Sequence, residues 1–209
     1  MAKTEAPLDA IKKYIPEKAA QLILDYLNIH KVHLTITKER KSVLGDYRHA
    51  TTYNNHRISI NGNLNKYSFL ITLIHELAHL ITFNQYKNRV DPHGKEWKRL
   101  YATLLKDFLT PNIFPTDLLN YLGHSLQNLP ASSCSDEKLM RVLKKYDRSN
   151  GLVMVEQIGE GSLFDAGKGN IFKKGKKLRK RYQCVEVATG RLYLFSPIYE
   201  VKAYEEKIN

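Results

Sequence analysis

The run Phe69-Leu70-Ile71-Thr72-Leu73-Ile74-His75-Glu76-Leu77-Ala78-His79-Leu80-Ile81 constrains this chain more than any other feature. Apolar residues cover nearly the whole circumference of a helix wound through it, which marks a buried helix and hence the centre of a core. Two histidines and a glutamate interrupt that apolar surface. Residues four apart lie one turn above each other, so His75 and His79 project from one face. Buried titratable groups are costly unless a metal or a hydrogen-bond network satisfies them. Two neutral imidazoles at this spacing can reach one tetrahedral zinc at about 2.0–2.1 Å. Glu76 lies between them in angle, placed to reach a water activated by the metal. The pattern His-Glu-x-x-His therefore points to a metal hydrolase with Glu76 as its base.

A catalytic zinc needs a third protein ligand and an open fourth position. Downstream, Asp91-Pro92-His93-Gly94 reads as a helix start, with Asp91 as N-cap and Pro92 as the first helical residue. The helix should run to about Leu109, limited by Pro111, with Trp97, Leu100, Tyr101, Leu104 and Phe108 as its apolar stripe. That places His93 in the first turn, within reach of the motif helix if the two form a hairpin. His93 is the preferred third ligand; Asp91, Glu96, His49, His56 and His124 are the competitors. Trp97 suits either a wall of the metal pocket or ordinary core.

Upstream, Leu8 to Ile29 reads as an amphipathic helix or a broken pair, with Pro16 as the kink. Val32–Thr37 and Tyr53–Ile60 read as strands, with Gly45-Asp46 as a turn between them in a small antiparallel sheet. Asn63 or Asn65 should cap the motif helix.

His75-Glu76-Leu77-Ala78-His79, followed after thirteen residues by His93-Gly94-Lys95-Glu96-Trp97, resembles the SprT-like zinc metallopeptidase domain. That family includes the Spartan proteases, which cut proteins crosslinked to DNA. The resemblance spans roughly Leu8 to Phe108. It implies that His75, His79 and His93 bind one catalytic zinc and that Glu76 is the catalytic base. It also implies a compact α+β, zincin-like fold with the metal cleft between the motif helix and the sheet.

The expected organisation is a metallopeptidase domain over 1–110, a helical and linker segment over 111–151, and a basic β-rich module over 152–209. In the middle segment Asp117–Leu122 and Asp136–Tyr146 are candidate helices, the second capped by Ser135, with Asn128–Ser133 as linker. In the module, Val153–Val155, Gly161–Phe164, Gly169–Phe172, Tyr182–Val187 and Arg191–Phe195 read as short strands, with a turn at Thr189-Gly190. Many SprT-like proteins end in a zinc ribbon held by two cysteine pairs. This chain has only Cys134 and Cys184, so the module is expected to be a ribbon-like sheet without metal or an unrelated β-sheet, with Cys184 buried.

Net charge is +12, which points to a polyanionic partner. From Phe172 to Tyr182, seven of eleven residues are basic and none is acidic: Lys173, Lys174, Lys176, Lys177, Arg179, Lys180 and Arg181. Such a hairpin suits the phosphate backbone of single- or double-stranded DNA with little sequence preference, and Phe172 or Tyr182 would add stacking. The opening residues Met1–Glu5 begin no apolar signal core, and no apolar run approaches the ~20 residues that span a bilayer. A cytoplasmic setting without membrane contact is the expectation. The sequence thus points to a zinc endopeptidase acting on proteins at or near DNA. The alternative is a DNA-associated zinc-binding factor without turnover, which would need a fourth protein ligand.

Overall fold

A computed structural model describes residues 8–40, 42–110, 112–126 and 136–204. Asn128–Ser133, Cys134 and Ser135 lie outside the described residues, as does the Met1–Glu5 stretch. The chain divides into two compact units, Met1–Asp147 and Arg148–Asn209.

The first unit is α+β. Two short 3-10 turns, Leu8–Lys13 and Glu17–Ala19, lead into α1 (Ala20–Ile29), so the break falls at Pro16. Three strands follow: β1 (His33–Thr37), β2 (Gly45–Arg48) and β3 (Arg57–Asn61). Their order is β1-β3-β2. β2 pairs antiparallel with β3, but β1 pairs parallel with it, so the expected antiparallel sheet is a mixed one. The reason is burial. β3 carries Ile58 and Ile60, both fully buried, and takes the centre of the sheet, leaving the more exposed β1 and β2 at its edges. Gly45-Asp46, expected as a turn, begins β2. The reversal into β3 instead lies around the Thr51–Asn54 bridge, so Tyr53 to His56 precede the strand.

The motif helix, α2, spans Lys66–Tyr86. Asn65 caps it, its side chain accepting from the backbone N–H groups of Tyr67 and Ser68 at 3.0 and 2.9 Å. From Phe69 to Ala78 every residue of α2 is buried, as the apolar circumference predicts. The helix packs against β2 and β3 and against α3 (Lys95–Lys106). Helices α4 (Thr116–Ser125) and α5 (Glu137–Lys144) belong to the same core, through Leu118, Leu122, Leu139 and Leu143. The N-cap of α5 is Asp136, which accepts from Lys138 and Leu139 and also from the Tyr121 hydroxyl at 2.6 Å.

The second unit is a six-stranded sheet in the order β4-β9-β5-β6-β7-β8 with every pair antiparallel. The strands are β4 (Val153–Met154), β5 (Leu163–Asp165), β6 (Ile171–Lys177), β7 (Tyr182–Glu186), β8 (Leu192–Phe195) and β9 (Glu200–Ala203). β9 has no sequence signal, because Val201 is the only buried residue in Glu-Val-Lys-Ala. Val155, Phe164, Phe172, Cys184 and Val201 form the unit's own core. Cys184 is a fully buried free thiol that burial holds above its ordinary pKa, so it acts as an apolar side chain. No described helix is long and apolar enough to cross a membrane.

Candidate metal centre

α2 sets His75 and His79 one turn apart, and a third histidine arrives from the turn before α3. His93 is not in the first turn of that helix. Asp91 to Gly94 form a tight turn closed by the Gly94 N–H on the Asp91 carbonyl at 3.0 Å, and α3 begins at Lys95 with Gly94 as N-cap. Proline suits the second position of such a turn as well as the first position of a helix. His93 follows it with φ 60°, a left-handed backbone uncommon outside glycine. This conformation carries its ring to the motif helix.

The three Nε2 atoms converge, with separations of 3.1 Å (His75–His93), 3.2 Å (His75–His79) and 3.0 Å (His79–His93). Among the described residues these histidines form a group able to hold a metal ion. The donor chemistry fits. Ligands at about 2.0–2.1 Å in a tetrahedral arrangement lie roughly 3.3–3.4 Å apart, slightly more than the separations found. The rings are also in the protonation state a metal requires. Desolvation pushes His75 down to about 3 and His79 down to about 4, and the neighbouring imidazoles act in the same direction. His93 is lowered as well, mainly by burial.

Trp97 is the floor of this cluster. Fully buried, it lies 4.7 Å from the His75 ring, 5.2 Å from His79 and 4.7 Å from His93, centroid to centroid, and stacks on Tyr101 at 4.9 Å. Its two expected roles, pocket wall and core, are therefore one role.

Glu76 is 6% exposed and shares a cavity of about 360 Å³ with the three histidines. Burial, reinforced by the charge of Asp46, pushes its carboxyl up to about 8, while Arg40 acts the other way. Gly45, at the start of β2, sits directly above it. A Cβ on Gly45 would lie 2.8 Å from Glu76 Oε1 and 2.7 Å from Thr72 Cγ2. Gly45, Asp46 and Tyr47 line the cavity with no sequence signal, since Gly-Asp reads most simply as a turn.

The competing ligands are elsewhere. His49 stacks on Phe83 at 4.5 Å, His56 Nδ1 pairs with the Tyr47 hydroxyl at 2.8 Å, and exposed His124 contacts the Asn120 carbonyl. Glu96 lies beside exposed Lys95, and Asp91 is exposed in its turn.

In the second unit, the basic run forms the end of β6, the following turn and the start of β7. Lys173, Lys176, Lys177, Arg179, Lys180 and Arg181 are exposed. Lys174 is not: it is 5% exposed, donates to the Ile158 carbonyl and lies 4.2 Å above the Tyr182 ring. It is thus withdrawn from the surface that the other six share. Phe172 is core, and Tyr182 carries Lys174 and Lys177 on its ring. Gly175 allows β6 and β7 to approach where their register shifts, since a Cβ there would lie 2.6 Å from the Gln183 carbonyl oxygen.

Residues 14–115 match the model of the SprT-like family. Among curated proteins, Protein SprT of Proteus mirabilis (strain HI4320) is 32% identical over 105 residues, a stretch covering 48% of this chain and 60% of that protein. The chain thus spans less than two thirds of that relative's length. No solved structure gives a significant match. The matched segment contains His75, Glu76, His79 and His93, and residues 14–115 thus carry a SprT-like domain.

Proposed function

We propose that this chain is a zinc-dependent endopeptidase of zincin type, with substrates that are proteins at or near DNA. The observation that carries the reading is the convergence of three neutral imidazoles beside a buried carboxyl in one cavity. His75, His79 and His93 would hold the zinc, which supplies Lewis acidity for activating water and polarising a scissile carbonyl. Glu76 takes the proton from the attacking water and returns it to the leaving amine. The charges of Asp46 and Arg40 act on that carboxyl in opposite directions. The floor of Trp97 and Tyr101 excludes water from beneath the histidines and fixes their rings.

The cluster's three donors support a catalytic site over a closed structural one, since His49 and His56 are engaged in other contacts. The six exposed cations of the β6–β7 hairpin support the DNA half of the reading. Zinc analysis combined with digestion of casein, with and without single-stranded DNA, tests both halves. One zinc per chain, digestion abolished by chelation and increased by DNA are the expected results. Zinc without digestion would favour a binding factor, and digestion indifferent to DNA would leave a general peptidase.

A further inference from the structure

A second cavity, of about 310 Å³, adjoins the metal centre and plays no part in the chemistry above. It shares His79 and Tyr47 with the cavity of Glu76 and extends from there towards the C-terminal end of α2. Its walls are Tyr47, His49, Phe83, Val90, Pro92 and Trp97. Phe83 lies one turn beyond His79 on α2, stacked on His49 at 4.5 Å and meeting His56 edge-on at 6.1 Å. The charged groups lining it, Lys87 and Asp91, are exposed, and the Lys87 ammonium lies 4.9 Å above the Phe83 ring.

β2 is an edge strand of its sheet, and its residues line both cavities: Gly45, Asp46 and Tyr47 on the Glu76 side, Tyr47 again on the other. A polypeptide with its scissile carbonyl at the histidine cluster therefore has a neighbouring side chain opposite an aromatic-lined cavity. Such a cavity rewards a large apolar occupant, because a small one leaves wall atoms without contacts. The geometry points to this cavity as the specificity pocket of the proposed peptidase, taking one aromatic or long aliphatic side chain from a residue adjoining the scissile bond. The inference rests on the peptidase reading and adds a substrate class to it.

The test uses the full chain loaded with zinc. A mixed peptide library is digested, and the residues flanking each cut are read by mass spectrometry. Peptides differing only by Phe or Ala at the preferred position are then compared by kcat/KM. The expected ratio is at least about tenfold in favour of Phe. Val90→Trp, which fills the cavity, and Phe83→Ala, which removes a wall, should each bring the ratio towards one; zinc content and circular dichroism verify the fold of both. Cleavage without apolar preference at any flanking position, or a ratio unmoved in both variants, overturns the pocket and leaves the peptidase standing. No cleavage of any peptide or of casein by the zinc-loaded chain overturns the peptidase reading, and the pocket with it.

Discussion

His93 holds a left-handed backbone at φ 60° in order to meet two histidines already fixed on a rigid helix. Strain of this kind persists where the surroundings enforce it, and it clusters at functional sites. The sequence contained His93 as a ligand candidate but not this conformation, because Asp-Pro-His-Gly fits a helix start and a tight turn equally well. Gly45 was less legible still, since its importance comes from what lies beneath it. Gly45→Ala would press a methyl group against Glu76 Oε1 and Thr72. We expect kcat/KM to fall at least about tenfold with zinc content unchanged, a loss of the size that misplacing a reacting group causes; unchanged turnover would show that the carboxyl has room to spare. The histidines also give the metal-free protein a pH dependence. Their folded pKa values of about 3 and 4 lie below the ordinary 6.5. Between these limits the unfolded chain binds more protons than the folded one. Stability should therefore be unaffected by these groups above about pH 6.5 and decline as pH falls towards 4. Glu76, held up at about 8, acts in the opposite sense, so the urea midpoint of chelator-treated Glu76→Gln from pH 8 to 5 is the test, and a midpoint rising on acidification would contradict it.

At the scale of elements, α2 was readable because its signals agree: a capping asparagine, an apolar circumference and a polar stretch from Asn84 onward. Asn65 does more than cap. Its amide donates to the Leu143 carbonyl at 3.1 Å and to Asp147 at 2.6 Å, tying the start of α2 to α5. Asn65→Ala should cost somewhat more than the roughly 1 kcal/mol of an ordinary cap. A denaturation midpoint indistinguishable from wild type would refute that double role. The sheet was less readable. Gly-Asp-Tyr-Arg has no β-branched residue to announce β2. The parallel pairing of β1 with β3 is decided by which strand is most buried, a tertiary property that alternation within one strand does not reveal.

The whole molecule consists of two compact units of different character. The first buries a continuous core around the motif helix, and the second has a smaller core and a dense set of exposed cations. Counting charges gives seven cations in the hairpin, but strand alternation removes one. Phe172 points into the core, so Lys174, two residues on, points inward too. Parity alone would turn Lys176 inward as well, but the register shift beyond Lys174 leaves it exposed. Reversing Lys176, Lys177, Arg179 and Arg181 to glutamate should weaken DNA binding across all sequences. The salt slope should fall by about 0.9 for each duplex phosphate that the hairpin no longer neutralises. Unaltered affinity in a salt titration would remove the nucleic-acid part of the proposal. The proposed chemistry stands or falls with Glu76 as the base of a metal peptidase. The decisive comparison is the rate of casein cleavage by Glu76→Gln and by wild type at equal zinc content. We expect one zinc per chain in both proteins and at least a hundredfold slower cleavage by the variant, about the least that loss of a general base causes. Cleavage at the wild-type rate by zinc-loaded Glu76→Gln would contradict that role.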